Sequence, residues 1–202
     1  MASAVDIANL ALGHAGAGSI QSLTDPSVEA SVCSQFLPIA RDALLQTFDW
    51  AFATRRAKLS AVVLDTEIYP DFGYGYTLPA DYLRPIGIVT PAGIRPIAAL
   101  GDYQVEMLDS SKVMLCNQSP LVLRYGAVVD NPQLFSPLFV KALAYELGSM
   151  IVGPLRKDVS LIRALADKAF QVAVTASGVD ANSGNSAERV RREYRAPWHE
   201  QR

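Results

Sequence analysis

Residues 121–140 read LVLRYGAVVDNPQLFSPLFV, and the predicted secondary structure changes type within this stretch. Leu121, Leu123 and Tyr125 recur at a period of two, which is the spacing of a half-buried β-strand. Ser136 then precedes Pro137, and serine followed by proline is typical of a helix N-cap and the first helical position. The stretch therefore predicts a strand region that ends near residue 129 and a helix that begins at 136–137.

The same alternation recurs upstream, throughout a region from about Trp50 to Val129. Six prolines interrupt it, at positions 70, 79, 85, 91, 96 and 120. Because proline cannot donate to a strand ladder, this density favours short strands with exposed edges. We predict a small antiparallel sheet whose other alternating sets are Tyr74, Tyr76 and Leu78; Tyr103, Val105 and Met107; and Val113 and Leu115 after a turn at 109–111.

Two helices are predicted before this region. Ser3 can cap the first helix, which ends in the glycine-rich segment 13–18. Asp25-Pro26 predicts the start of a second helix that reaches about Phe48, with Pro38 expected to kink it. Its predicted apolar stripe, at spacings of three and four, consists of Val28, Val32, Phe36, Ile39, Ala43 and Leu44.

Two further helices are predicted after Ser136. The first is expected to end at Gly153-Pro154, and the second to span about Asp158 to Ala176, closed by Gly178. Beyond Val179 the composition becomes polar, which predicts a flexible spacer. The last sixteen residues, 187–202, carry five arginines against three glutamates and include two large aromatic residues.

Composition limits the class of protein. A chain of 202 residues with 50% hydrophobic residues suits one domain, or one domain with a sizeable insertion. The net charge of −2 argues against a dedicated nucleic-acid binder, which usually carries a basic excess. Cys33 and Cys116 are too few for a disulfide scaffold or a cysteine-rich zinc site, and we expect buried, reduced thiols.

Membrane insertion and secretion are not expected. No run approaches ~20 uncharged apolar residues, the length needed to cross a bilayer. The apolar N-terminus lacks the basic residues of a signal peptide, since the first Lys or Arg is Arg41. We therefore expect a soluble protein that is made inside the cell.

The sequence offers little catalytic chemistry. His14 lies among glycines at a helix end, and His199 lies near the C-terminus. The motif Gly13-x-x-Gly16-x-Gly18 follows a helix, whereas phosphate-binding glycine loops follow a strand and open a helix. We predict no catalytic residues, no metal site and no cofactor. Arg55, Arg56 and Lys58 form a basic cluster that is either a solvated strand edge or a contact with a partner or nucleic acid.

The C-terminal end is the strongest candidate for an interaction site. Arginine, tyrosine and tryptophan are enriched at interface hot spots. The segment is either an arm that becomes ordered on binding a partner or a frayed terminus, and composition alone does not separate these alternatives. Its candidate contact residues are Arg189, Arg191, Arg192, Tyr194, Arg195 and Trp198.

Several motifs, taken in order, resemble the phage head-to-tail adaptor proteins known as the tail tubular protein A-like family. They cover most of residues 5–155, and one departs from the family pattern, since the usual Trp-Asn-Phe-Ala is Trp50-Ala-Phe52-Ala53 here. The motifs are IANLALG at 7–13, IQSLTD at 20–25, ARDALL at 40–45, DWAFAT at 49–54, YTLPADYLRP at 76–85, and LVLRY at 121–125 leading into FSPLF at 135–139. The motif residues expected in the core are Trp50, Phe52, Leu78, Pro79, Tyr82 and Leu83.

This resemblance implies an α+β fold. The N-terminal helices (1–50) and C-terminal helices (131–178) would form an antiparallel bundle, with a small antiparallel β-rich insertion at 51–130. An extended C-terminal tail would cover 179–202.

The resemblance also implies a structural role in the virion neck. Family members form a ring, here expected to contain about twelve copies, that joins the portal protein to a downstream tail or nozzle protein. Genomic DNA passes through the ring without sequence-specific binding. The chain would be made in the host cytoplasm, and the residues from Arg189 to Trp198 would contact the portal.

Three alternatives remain open from the sequence. The chain could be another neck or head-completion protein of the virion. It could be a small tail-associated hydrolase, although no triad, metal set or phosphate loop supports this. It could also be a bacterial adaptor module without a viral role.

Overall fold

A computed structural model describes residues 2–91 and 93–193, with side chains through residue 180. It has mixed α/β structure with four helices and two antiparallel sheets, which confirms the predicted class at this level. The helices are α1 (Ala4–Ala15), α2 (Val28–Thr47), α3 (Pro137–Arg156) and α4 (Val159–Glu193). The strands are β1 (Thr54–Lys58), β2 (Ser60–Val62), β3 (Tyr74–Thr77), β4 (Tyr82–Thr90), β5 (Gly93–Pro96), β6 (Tyr103–Leu108), β7 (Ser111–Cys116) and β8 (Val122–Ala127).

The chain divides into two compact units. Among the described residues, 2–52 and 131–193 form a helical unit, and those within 53–130 form a β unit. The chain therefore leaves the helical unit once and returns to it once, so the β unit is an insertion in sequence.

Helix α3 is the centre of the helical unit, because α1, α2 and α4 all pack against it. Ser136 caps its N-terminus by accepting a hydrogen bond from the Phe139 amide, and Pro137 is its first residue, as predicted. Its end differs from the prediction, since Pro154 lies inside the last turn and the helix continues to Arg156. The left-handed residue Lys157, with φ of 57°, ends it.

Helix α1 follows the sequence prediction closely. The Ser3 hydroxyl accepts a hydrogen bond from the Asp6 amide, and the Asp6 carboxylate accepts one from the Ser3 amide. This reciprocal capping box satisfies two amides at the helix start. The helix ends at Gly16, whose φ of 69° is the left-handed conformation that glycine adopts without strain.

Helix α2 differs from the prediction in its start and in its buried face. Ser27 is its N-cap, because Asp25 instead accepts hydrogen bonds from the amides of Gln21 and Ser22. Val28 and Ile39, predicted on the buried stripe, are 65% and 53% exposed. The buried residues are Ala30, Cys33, Ala40, Leu44 and Leu45, mostly small side chains that allow close approach of helices.

Helix α4 corrects the prediction of an extended tail from 179. Asp158 caps its start, but the helix continues past Gly178 to Glu193. Once a helix is nucleated, each further residue adds a hydrogen bond, and a single glycine costs only about 1 kcal/mol. Gly178 therefore does not end the helix.

The β unit contains two sheets, where one was predicted. Their strand orders are β1-β8-β4-β5 and β2-β3-β7-β6, with every pairing antiparallel. β1 and β2 are separated only by Leu59 yet belong to different sheets, and the Leu59 amide donates to the Leu121 carbonyl. The four predicted alternating sets correspond to β3, β6, β7 and β8, while β1, β2, β4 and β5 were not predicted.

An apolar core lies in the β unit and draws on both sheets and on the loops that leave them. Five residues of the predicted alternating sets belong to it: Tyr76, Leu78, Leu121, Leu123 and Tyr125. Its fully buried members, each at most 2% exposed, are Ile88, Met114, Cys116, Leu121, Leu123 and Ala127. β6 and β7 differ from the prediction, because Val105 and Met107 are 41% and 60% exposed and residues 113–116 of β7 are all buried.

Candidate functional site

Two motifs that are far apart in sequence meet in the helical unit, where they form an aromatic cluster. Trp50 and Phe52 follow α2, while Phe135 and Phe139 lie at the start of α3. The ring centroids of Trp50 and Phe139 are 4.8 Å apart, and those of Phe52 and Phe139 are 5.0 Å apart. The Phe135 ring lies 5.6 Å from that of Phe52, in a tilted arrangement, and 4.8 Å from that of Phe139, edge to face. Edge-to-face packing of this kind adds stability beyond the buried area.

Trp50 is the anchor of the aromatic cluster. It is 1% exposed, and its indole Nε1 donates a 2.9 Å hydrogen bond to the Leu44 carbonyl. This bond satisfies the one polar atom of a fully buried side chain. Phe52 is partly exposed, so Trp50 is the more deeply placed of the two predicted motif residues.

The third motif, at 76–85, packs within the β unit. Leu78 and Tyr82 are 6% and 7% exposed and belong to its core, whereas Pro79 and Leu83 are partly buried. Burial raises the pKa of the Tyr82 phenol to about 12, so this group stays neutral at any physiological pH. All six motif residues predicted for the core are therefore buried or partly buried.

Asp81 joins this motif to two other strands, a role that sequence reasoning missed. Its carboxylate forms an ion pair with Arg55 of β1 and accepts a 3.1 Å hydrogen bond from the Tyr125 hydroxyl on β8. Its backbone carbonyl accepts a hydrogen bond from the Val128 amide. Burial and the neighbouring Asp81 charge raise the pKa of Tyr125. In the sequence, the carboxylate of Asp81 within the segment Pro79-Ala80-Asp81-Tyr82 was the feature from which this role could have been predicted.

The ion pair with Asp81 involves one residue of the predicted basic cluster of Arg55, Arg56 and Lys58. Arg55 pairs with Asp81 inside its own unit, so it is committed to a structural contact. Arg56 and Lys58 are exposed on the same strand. The predicted cluster is thus split between Arg55, which pairs with Asp81, and the exposed residues Arg56 and Lys58.

The predicted portal-contact residues lie at and beyond the end of the described chain. Arg189, Arg191 and Arg192 belong to the last turns of α4. Tyr194, Arg195 and Trp198 lie outside the described residues. The nearest described side chain, Asp180, accepts a hydrogen bond from the Ala51 amide, which ties α4 to the segment that follows α2.

His14 has a packing role in the helical unit. Its ring stacks on Tyr145 of α3, with centroids 4.2 Å apart and planes inclined by 16°. Burial lowers the pKa of this imidazole, and the Lys141 charge lowers it further. His14 thus packs the end of α1 against α3.

A cavity of about 340 Å³ opens beside His14. It is lined by the end of α1 and by the junction of α3 and α4, through Gly16, Arg156, Asp158 and Leu161 among others. The Asp158 carboxylate is occupied as the α4 cap, where it accepts hydrogen bonds from Ser160 and from the Leu161 amide. The cavity therefore presents the Arg156 guanidinium as its available charged group.

Both cysteines are free and buried, as predicted. Burial raises the pKa of the Cys33 thiol to about 11 and also raises that of Cys116. Among the residues that the structure describes, no three His, Cys, Asp or Glu side chains are grouped as metal ligands.

By length and composition, α3 alone among the described helices could cross a membrane. Half of its most apolar window is buried inside the protein.

Taken together, the described residues offer packing, ion pairing and a small basic cavity. No protein-family model and no curated protein matches this chain.

Proposed function

We propose that this chain is a structural head-to-tail adaptor of a tailed phage. In this role its copies form a ring beneath the portal protein, join it to a downstream tail or nozzle protein, and let DNA pass through the centre. The chain acts through shape and contacts in the virion neck and has no catalytic activity.

The observation that carries the proposal is the meeting of two motifs in the aromatic cluster. The segments DWAFAT and FSPLF are separated by about eighty residues of sequence, yet Trp50 and Phe52 pack against Phe139. They flank the point where the β unit is inserted between helices. A third motif supplies Leu78 and Tyr82 to the β core. The segments that carry the family resemblance thus either pack against each other or contribute to a core.

The helical unit serves as the repeated wall of the ring in this proposal. α3 lies among α1, α2 and α4, and we assign these helices to an antiparallel bundle. A cyclic ring needs each copy to use two different surfaces. The net charge of −2 suits a conduit, because tight binding of DNA phosphates would slow ejection.

The chain end is the proposed portal contact. Arg189, Arg191 and Arg192 lie within about one turn of the α4 backbone, and Tyr194, Arg195 and Trp198 follow. Arginine forks pair with carboxylates in a bidentate manner, and tryptophan fills apolar pockets at interfaces. The long α4 gives this end a continuous helical connection to the helical unit.

The direct test is electron microscopy of the purified chain mixed with a phage portal protein. We expect collars of the chain on one end of the portal ring. Removal of residues 187–202 should abolish docking, with helix content and thermal unfolding of the remaining chain preserved. A folded, truncated chain that still attaches would refute the assigned contact, and a full chain that ignores portals would refute the adaptor role.

A neck or head-completion protein elsewhere in the virion is the second candidate. Its distinguishing result would be attachment to a pre-formed portal–adaptor complex and not to the bare portal. A tail-associated hydrolase would show turnover of a peptidoglycan or glycan substrate by the monomer, which we do not expect.

A further inference from the structure

The β unit exposes a loop that is both acidic and apolar. Residues 63–73 connect β2 and β3 and contain three carboxylates and no lysine or arginine. We call this segment the acidic loop. Asp65, Glu67 and Asp71 are exposed, and so are Val63 at 95% and Ile68 at 67%. Exposed apolar side chains beside charges of one sign are typical of a contact surface.

Internal hydrogen bonds hold the acidic loop in one conformation. The Asp65 carbonyl accepts from the amides of Ile68 and Tyr69, at 3.1 Å and 2.9 Å, and its side chain accepts from the Glu67 amide. At the base, Asn117 accepts from the Gly73 amide and donates to the Asp71 carbonyl. A preorganised loop loses little conformational entropy when it binds.

The helical unit carries a surface of the opposite charge. The cavity beside His14 is lined by Arg156. Lys157 follows Arg156 in sequence, Arg163 lies two residues after the lining residue Leu161, and all three basic residues are exposed. Within the residues that the structure describes, Arg156 and Lys157 have no ion-pair partner. Val159, 62% exposed, is an apolar residue that directly follows the lining residue Asp158 in sequence. We call residues 156–163 with this cavity the basic cleft.

We propose that the acidic loop of one copy docks in the basic cleft of a second copy. Carboxylates of the loop then pair with Arg156 and Lys157, while Ile68 packs on the apolar part of the cleft around Val159. This inference rests on the proposed ring, since it names the two different surfaces through which neighbouring copies meet. A contact of this head-to-tail kind repeats from copy to copy, and it forms a ring when the rotation between neighbouring copies closes.

A second copy fits the basic cleft better than DNA does. Phosphates would engage Arg156 and Lys157 but would leave the exposed Val159 without a partner. The acidic loop supplies both carboxylates and apolar side chains, and it would itself repel a nucleic acid. Complementarity of charge and of apolar surface therefore favours the chain's own loop.

Two charge-reversal variants test this contact. The loop variant carries Asp65→Lys and Glu67→Lys, and the cleft variant carries Arg156→Glu and Lys157→Glu. Each variant alone brings like charges together, so we expect its self-association to weaken about tenfold or more. An equimolar mixture restores both contacts, because lysine loops meet glutamate clefts and acidic loops meet basic clefts. The mixture should recover assembly that neither variant shows alone.

The readouts are sedimentation velocity of the free chain and negative-stain imaging on the portal ring, both at about 0.05 M and about 0.5 M NaCl. The matched control carries Asp102→Lys and Glu106→Lys, two exposed acidic residues elsewhere in the β unit, and should assemble like wild type. Thermal unfolding shows whether each variant is folded.

Several results would overturn the inference. These are assembly of either variant like wild type, failure of the mixture to recover, and absence of wild-type self-association both in solution and on the portal. Loss of DNA affinity in the cleft variant with unchanged self-association would assign the cleft to DNA instead. Failure of the wild type to bind portals would refute the adaptor role, while the mixing experiment in solution would still test the loop–cleft contact.

Discussion

The indole Nε1 of Trp50 donates a hydrogen bond of 2.9 Å to the carbonyl oxygen of Leu44. Leu44 lies in the last turn of α2, where helical carbonyls lack partners within the helix. The bond therefore fixes how the chain turns out of α2. It also places the Trp50 ring edge-to-face against Phe139 of α3. One side chain thus secures both the end of α2 and its packing on α3.

Replacement of Trp50 should destabilise the helical unit strongly. Trp50→Ala removes a fully buried ring and leaves a cavity, which typically costs about 3–5 kcal/mol. Trp50→Phe keeps most of the packing but leaves the Leu44 carbonyl without this donor, at a cost of about 1–3 kcal/mol. Urea unfolding measures both changes. Ile39→Ala, at an exposed position of α2, is the control and should change stability by less than about 0.5 kcal/mol. Equal effects of Trp50→Ala and Ile39→Ala would contradict the anchor role.

Asp81 should act as a single connection between three strands of the β unit. Asp81→Ala leaves the Tyr125 hydroxyl and the Arg55 guanidinium without this partner, and we expect a loss of about 1–3 kcal/mol. The half-exposed Arg55 contributes the smaller share, because solvent screens its charge. A double-mutant cycle with Tyr125→Phe measures the coupling energy between the two side chains. We expect the double variant to lose less stability than the sum of the two single losses. Asp102→Ala, at an exposed position, is the comparison, and a cycle with no coupling would contradict the connection.

The two thiols should be protected from reagents in the folded chain. Both cysteines are buried, and burial raises the pKa of Cys33 to about 11, so almost no thiolate is present at neutral pH. We expect neither Cys33 nor Cys116 to react with Ellman's reagent until the chain unfolds. Each should then react at the rate of a free thiol. Rapid modification of the native protein at pH 8 would show that the core opens readily.

Local signals allowed several elements to be predicted from sequence. Ser3 and Ser136 each place a cap beside helix-forming residues, and both caps are present in the structure. β6 and β7 lack the predicted alternation, since Val105 and Met107 are exposed and residues 113–116 are all buried. In β3 and β8, by contrast, the alternating residues Tyr76, Leu123 and Tyr125 are buried. In these cases, the information lies within a few residues of the element itself.

Other elements depend on contacts that are distant in sequence. β1 has the sequence TRRAK and lacks apolar alternation, and its pairing with β8 places it in the sheet. β4 contains Pro85 and two register shifts, which break the period of two. The aromatic cluster could not be predicted as a site either. Phe135 and Phe139 suggest a helix start, but their packing with Trp50 and Phe52 depends on the tertiary fold.

Glu146 should destabilise the fold at neutral pH. Burial in α3 raises the pKa of its carboxyl above the ordinary value of 4.5. A raised folded pKa means that stability is greatest below the unfolded pKa and is lost as pH rises through the folded value. Glu146→Gln removes this loss, so we expect a higher Tm at pH 7 and no difference near pH 4. Glu67→Gln, at an exposed position, should show neither effect. A lower Tm for Glu146→Gln at pH 7 would indicate a stabilising partner for the carboxylate.

Two substitutions at Gly178 distinguish a continuous α4 from a flexible spacer. In a helix interior, Gly178→Ala should stabilise by about 1 kcal/mol, while Gly178→Pro should cost about 3 kcal/mol. No side chain or backbone lies within 4 Å of a Cβ built on Gly178, so the alanine meets no steric obstacle. Proline should also disturb the bond between Asp180 and the Ala51 amide, because both lie where α4 passes the end of α2. Circular dichroism at 222 nm should show helicity gained with alanine and lost with proline. In an extended spacer neither substitution would change the spectrum, and that result would place the end of α4 near Ala176.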